Sequence, residues 1–309
     1  GYLETKVEAL PMEPARSKDG RPITVEIHTR TGALQAKVWL MKVGRVDLYL
    51  LDCDVEGNRP EDRKLTSRLY GGDHRTRIRQ ELVLGVGGVR ALKALGITPG
   101  VYHLNEGHSV FATLEVIRER MQDDGLTFDT ALREVAQHTV FTTHTPVPAG
   151  HDRFDAGLID EHLGPLREQL GISHDQLMGL GRVEPQNHGE TFCMTVLGLK
   201  LSRRANAVSA LHGHVSRRMW QFMFPDTPVE RVPIRAITNG VHAGTWLARR
   251  MKLLYDRYLG RDWMEEQDDA SLFQSIFAVP DEDLWAVRRH LKRKLAAFAR
   301  ERARAQWVT

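Results

Sequence analysis

The chain has little cysteine: Cys53 and Cys193 are the only two in 309 residues, too few for a disulfide framework. Both stand among apolar neighbours, which points to reduced thiols and to an expected cytoplasmic location. No apolar run is long enough to cross a bilayer and no secretory leader is visible, so no membrane partner is expected. Charge of one sign is also lacking. Lys and Arg number 43 against 40 Asp and Glu, a net +3 with His neutral, too mild to indicate nucleic acid. There is no internal repeat and no low-complexity segment. Metal-ligand spacing is missing too. Of His103, His108, His138, His144 and His151, none has the helical i, i+4 spacing of a zincin, and none sits in a Cys/His finger spacing.

What is present is an ordinary globular composition, 41% hydrophobic and 27% charged, in a chain long enough for one large or two medium domains. Because it starts at Gly1 within a polar segment, it is expected to be part of something longer. Near the start, Ile23 to Thr29 and Leu34 to Leu40 alternate with period two, and Val43 to Leu51 ends in an apolar run. These three segments predict a small antiparallel β meander. After residue 70 the pattern changes to strand alternating with helix, the mark of a parallel α/β sheet. Helices are expected over about 75–95, 109–121, 128–136, 156–163, 165–170, 174–180, 191–202, 213–221 and 281–304, with strands at Val101, Val140, Ala205 and Ile234. On the last helix, Leu284, Val287, Leu291, Leu295 and Phe298 form the expected buried stripe. The domain division predicted is 1–70 (meander and polar loop), 71–280 (α/β, one domain with the first) and 281–309 (a long helix).

Three stretches share one layout. Val140-Phe141-Thr142-Thr143-His144-Thr145-Pro146 is a strand that stiffens into a polar loop, because Pro146 and Pro148 cannot continue a ladder. Val101 to His108 runs from a strand through Asn105 and Glu106 to Gly107 and His108. Ile234 to His242 runs from a strand into Thr238-Asn239-Gly240. Loops after the carboxyl ends of parallel strands form the ligand crevice of such sheets, so one shared polar site is expected. His103 and His138, early in their strands, are expected to satisfy local partners, whereas His144 is expected to be functional.

Other features have plainer readings. Gly85-Val86-Gly87-Gly88-Val89-Arg90 resembles a dinucleotide loop but fails at Arg90 and lies inside a helical pattern, so close helix packing is expected. Asp73, after Tyr70-Gly71-Gly72, is placed to cap a helix. Asn239-Gly240 alone reads as a turn. The basic run from Arg288 to Lys294 has no accompanying aromatic set and reads as a solvated helix face.

Taken together and in order, these motifs resemble the α-glucan (glycogen, starch, maltodextrin) phosphorylases, nearest their shorter bacterial and archaeal branch. The resemblance is carried by Asp62-Arg63-Lys64-Leu65 through Asp73, by Arg77 to Glu81, and by His103 to His108. Thr142 to Pro146, Leu201 to Arg217 and Ile237 to Val241 complete it. It implies a Rossmann-like N-terminal domain of a two-domain GT-B glycosyltransferase that phosphorolyses α-1,4-glucan to α-glucose 1-phosphate. It also implies pyridoxal phosphate as cofactor in the complete enzyme, with its Schiff-base lysine outside this chain. By the same resemblance His144 contacts the reacting glucosyl unit, its backbone carbonyl near the anomeric centre, and Asn239 binds the 6-hydroxyl. Glu106 and His108 line the site and Asp73 belongs to a gating loop, shortened here and followed by His74. The implied partners are α-1,4-glucan, inorganic phosphate and glucose 1-phosphate; the oligomeric state stays open, a homodimer included. Two other functions are weighed beside this one: a non-catalytic glucan-binding or interaction fragment, and a sugar-nucleotide-dependent glucan synthase of the same fold.

Overall fold

The computed structural model describes residues 9–68 and 72–307. Tyr70 and Gly71, the first half of the glycine-rich turn, lie outside the described residues. The chain forms two compact units, residues 1–239 and 240–309.

The first unit begins with an antiparallel sheet of β1 (Met12–Pro14), β2 (Thr24–Thr29), β3 (Gly32–Val43) and β4 (Val46–Asp52). β3 is its centre. β2 pairs with its first half, from Thr24 opposite Lys37 to Thr29 opposite Gly32, and β1 pairs further along, with Met12 opposite Met41. β4 takes the other edge, Val46 opposite Val43. The period-two pattern decides which face is dry: Val25, Ile27 and Thr29 are buried while Glu26 and His28 are exposed.

A helical run follows: α1 (His74–Leu82), a π-helical segment (Val83–Gly87) and α2 (Gly88–Leu95), closed by Gly96 at φ 71°. The glycines at its middle serve packing. A Cβ on Gly85 would lie 2.7 Å from the Ala112 backbone nitrogen, and one on Gly87 would lie 3.2 Å from Ile27 Cδ1.

The second sheet is parallel, built from β5 (Tyr102–Asn105), β6 (Thr139–Thr143), β9 (Arg204–Ala207) and β10 (Ile234–Ala236), in the order β10-β9-β6-β5. Its register sets Asn105 opposite Thr142 and Thr142 opposite Asn206. Between β5 and β6 come α3 (Ala112–Asp123) and α4 (Phe128–Gln137). Between β6 and β9 come β7 (Arg153–Phe154), α5 (Ala156–Leu170), α6 (His174–Gly181), β8 (Phe192–Cys193) and α7 (Met194–Lys200). α8 (Ala210–Trp220) joins β9 to β10. Phe111, Phe141, Phe154, Phe192 and Trp220 are the large side chains of one continuous core.

Three of the expected helices differ in extent, and the helices Ala243–Trp246 and Arg249–Tyr258 were not expected. α5 is one helix, not two, although Pro165 lies inside it. Proline removes the N–H that would reach the carbonyl four residues back. That carbonyl, on Glu161, instead accepts the backbone N–H of Arg30 at 2.9 Å. α7 starts only at Met194, because Phe192 and Cys193 pair with Phe154 and Arg153. α8 starts at Ala210, capped by the Ser209 hydroxyl, so the strand before it is shorter than expected.

The second unit contains α9 (Ala243–Trp246), α10 (Arg249–Tyr258) and α11 (Asp281–Trp307). Its small core joins Met251, Leu254 and Val279 to Val287 and Leu291. The Tyr258 hydroxyl donates to Asp283 at 2.7 Å. The apolar stripe of α11 is buried only in part: Leu284, Leu295 and Phe298 are exposed. Among the described residues no helix is long and apolar enough to cross a membrane.

Candidate functional site

The parallel sheet brings its carboxyl ends to one edge. β5 runs out at Asn105–Glu106, β6 at His144, β9 at Val208 and β10 at Ile237–Asn239. Strands are spaced about 4.8 Å apart, so the ends of β6 and β10, with β9 between them, are separated by roughly 10 Å.

Glu106 holds this edge together. Among the described residues it is the one non-glycine at positive φ, 67°, with ψ 173°. That region is nearly glycine-only and costs about 1–3 kcal/mol, so the surroundings must over-determine it. They do: Glu106 N donates to the Thr142 carbonyl at 2.8 Å, fixing the turn against β6. The carboxylate then reaches across, taking the His144 N–H at 2.7 Å and the Thr145 hydroxyl at 2.8 Å on Oε2. Oε1 accepts the Gly107 N–H at 3.2 Å.

His144 is exposed, and its Nε2–H donates to Asn105 Oδ1 at 2.8 Å. Both ends of the residue are therefore set by the β5 loop, the backbone by Glu106 and the ring by Asn105. Behind them a second chain of bonds crosses the sheet. The His103 ring donates to the Thr142 hydroxyl at 2.6 Å, which donates to Asn206 Oδ1 at 2.8 Å. His138 donates to the Glu134 carbonyl at 2.9 Å, the local role expected of it.

His108 lies in the 3-10 turn Gly107–Ser109, half-buried. Burial, then the nearby Arg77 guanidinium, lowers its pKa and favours the neutral ring, with Glu106 and Asp152 opposing. Arg77 on α1 donates to Asp152 Oδ2 from Nε at 3.2 Å and Nη2 at 3.1 Å.

Asn239 is exposed and its side chain makes no hydrogen bond among the described residues. Its backbone N–H reaches the Val208 carbonyl at 3.1 Å, which prolongs the β10–β9 pairing past Ala236. Asp73 stands apart from the cluster. It caps α1, accepting the Thr76 N–H at 2.8 Å and hydroxyl at 2.9 Å, and those bonds lower its pKa. It lines a cavity of about 350 Å³ with Arg59, Arg75, Arg79 and Glu161.

The sheet thus joins Glu106, His144 and His108 at one end and sets Asn239 at the other. Arg77 and Asp152 were not foreseen as part of this cluster, and Asn105 was placed in its loop but given no role of its own. Asn105 lies in the same motif as Glu106, which was a usable signal; the Arg77–Asp152 pair spans 75 residues and had none. Among the described residues no group of three or more His, Cys, Asp and Glu is placed to hold a metal ion. Chemically the edge offers amide, imidazole, carboxylate and backbone carbonyl groups, a set suited to polyhydroxylated ligands.

Comparison with known sequences bears on that ligand. The sequence model of the phosphorylase family, described as carbohydrate phosphorylase, matches residues 97–308. Maltodextrin phosphorylase of Thermococcus litoralis is 41% identical over 293 residues, covering 95% of this chain and 34% of that protein. Glycogen phosphorylase of Mycobacterium tuberculosis is 40% identical over 319 residues, covering 99% and 36%. Glycogen phosphorylase of Aquifex aeolicus is 36% identical over 305 residues, covering 99% and 43%. The chain therefore spans about a third to two fifths of the length of these relatives.

Proposed function

The chain belongs to the carbohydrate phosphorylase family, and from that premise we propose that it supplies one wall of the active-site cleft of an α-glucan phosphorylase. In this reading the parallel sheet is the core of a Rossmann-like domain of a GT-B enzyme. The reaction cleaves the terminal α-1,4 bond of a glucan with inorganic phosphate. The C1–O4 bond breaks, O4 takes a proton, and C1 bonds to a phosphate oxygen, giving α-glucose 1-phosphate. The observation that carries the reading is the convergence of Asn105, Glu106 and His144 at one end of the strand edge, with Asn239 at the other.

Each residue then has a part. Glu106 fixes the loop so that the His144 carbonyl faces the glucosyl unit, where its partial negative charge stabilises oxocarbenium character at C1. Asn105 sets the His144 ring. Asn239, with its amide unspent, binds the 6-hydroxyl, and neutral His108 offers a further hydroxyl partner. Asp73 acts at a distance, ordering the start of α1 beside the substrate entrance.

The lysines described do not suit the pyridoxal phosphate that the family implies. Lys200, with its pKa lowered by burial, donates to the carbonyls of Gly179 and Arg182. No lysine among the described residues hydrogen-bonds into the strand-edge cluster. We assign the cofactor lysine to the part of the protein that this chain does not span. α-1,4-Glucan, phosphate and glucose 1-phosphate are the proposed partners, and the cytoplasm the proposed location.

The test is an assay of the full-length protein with maltoheptaose. Glucose 1-phosphate should form only when inorganic phosphate is present, and glucan should lengthen from glucose 1-phosphate but not from a sugar nucleotide. Elongation from UDP- or ADP-glucose would show a synthase instead.

A further inference from the structure

We propose that Glu81 and Asp152 share a single proton beneath the candidate site, and that this makes Glu81 a positioning residue for Asp152 and His108. α1 packs against the turn Gly107–Ser109, which carries His108, and it presents Arg77 and Glu81 from the same face, one turn apart. The Glu81 side chain is only 1% exposed. Arg77 Nε lies 3.1 Å from Glu81 Oε1 and 3.2 Å from Asp152 Oδ2. One guanidinium thus faces two carboxyl groups, one of them wholly out of water.

Two further observations separate Glu81 from an ordinary buried ion pair. Among the described residues neither of its oxygens receives a hydrogen bond. Glu115, equally buried, shows the contrast: it accepts from Arg90 at 2.8 and 3.0 Å and from Arg118 at 2.6 and 3.0 Å. Arg77 brings the two carboxyl groups to the same nitrogen, and since two carboxylates can only accept, a hydrogen bond between them needs a proton on one. Burial, followed by the charge of Asp152, holds the Glu81 carboxyl well above the usual range, with Arg77 opposing.

The other charged groups around α1 leave this balance in place. The turn presents His108, whose own pKa is lowered. α5 presents Glu161, paired with Arg75, and His162, whose ring donates to the Leu158 carbonyl. The π-helical segment Val83–Gly87 presents no titratable side chain. One proton on the pair leaves a single negative charge facing Arg77 below His108. The shared proton does not depend on the phosphorylase reading; the positioning role does, because it takes His108 to be a ligand-facing group.

Infrared spectroscopy of the full chain at neutral pH tests the proton. The wild type should show a protonated-carboxyl stretch that Glu81→Gln removes. Asp152→Asn should remove it as well, because the charge of Asp152 no longer opposes ionisation of Glu81 while Arg77 still favours it. A Glu81-dependent band that persists in Asp152→Asn would mean neutrality by burial alone and would overturn sharing; so would its absence from the wild type. Should a variant not fold, carbon NMR of the wild type decides: with a shared proton the carbons of both carboxyl groups respond to the same titration steps, whereas neutrality of Glu81 by burial alone moves the Glu81 carbon by itself. Positioning is read from the His108 ring titration. Glu81→Gln, a neutral donor of the same shape, should leave its midpoint in place, and Glu81→Leu, which frees the Asp152 charge, should raise it. Equal midpoints in the Leu and Gln variants would remove Glu81 from any positioning role.

Discussion

Replacing Glu106 separates two effects that sit on one residue. The carboxylate receives three hydrogen bonds, two of them short, from His144 N at 2.7 Å and Thr145 Oγ1 at 2.8 Å, and a longer one from Gly107 N at 3.2 Å. Hydrogen bonds to a charged group contribute about 1.5–3 kcal/mol each, less where water can replace them, as it can at this strand edge. Glu106→Ala should therefore cost about 2–4 kcal/mol. Glu106→Gly loses the same bonds but relieves a backbone held at φ 67°, ψ 173°. Relief of about 1–3 kcal/mol, set against the greater freedom of glycine in the unfolded chain, should leave Gly more stable than Ala by about 1 kcal/mol. Glu106→Gln keeps an acceptor for two donors, loses the charge, and should cost about 1 kcal/mol. The assay is urea unfolding of the full chain together with amide hydrogen exchange at His144. The Ala and Gly variants should both lose protection at that amide while differing in stability. Equal stability of Ala and Gly would refute the strain; retained protection in both would refute the clamp.

Three other outcomes follow from the packing. Gly85→Ala should destabilise by about 1–3 kcal/mol, because its Cβ meets the Ala112 backbone at 2.7 Å, whereas Gly88→Ala, with nothing within 4 Å, should stabilise by about 0.5–1 kcal/mol in thermal unfolding. Thr142→Val should cost about 1–3 kcal/mol, since it leaves Asn206 Oδ1 without its donor at a buried position, and the His103 ring signal should shift in NMR spectra. Burial lowers the pKa of His108, His151 and His162. Their folded pKa values lie below the unfolded value of about 6.5, so the stability they contribute is present above that pH and lost as pH falls through it and below. The melting temperature should drop on acidification from neutral pH, less steeply in His151→Gln; an identical slope in that variant would remove His151 from the account.

Much of this arrangement was legible in the residues. The strands at Tyr102 and Thr139 and the helix after Thr127 follow from β-prone runs and from a helical apolar pattern, and the structure adds the Thr127 cap. The polar ends of β5, β6 and β10 were visible as abrupt changes from apolar to hydrogen-bonding residues. What the sequence hid depends on contacts between distant segments. Pro165 reads as a break until Arg30 is seen to occupy the carbonyl it frees, 131 positions earlier than Glu161 in chain order. Glu81 carries no sequence sign of burial, yet its side chain is only 1% exposed beside Arg77, which also bonds Asp152 75 residues on. Glu106 gives no local sign of positive φ, because the conformation is imposed by what its carboxylate and N–H must reach. Asp73 was read both as a cap and as a gating acid, and its bonds to Thr76 are those of a cap.

The account turns on whether the strand edge grips a glucosyl unit, and Asn239 offers the most direct measurement. Its amide is exposed and unspent at the end of β10, with its backbone pinned to Val208. In the full-length protein, phosphorolysis of a normal glucan is compared with that of an analogue whose terminal unit lacks the 6-hydroxyl, for wild type, Asn239→Ala and Asn239→Gly. One lost hydrogen bond of about 0.5–1.5 kcal/mol lowers kcat/KM by up to about tenfold, and by more if the hydroxyl is left buried and unpaired. The account predicts that both variants stay impaired on the normal glucan and that the wild type loses its advantage on the deoxy analogue. Full activity of Asn239→Gly, or a wild type that keeps its advantage on the analogue, would contradict it.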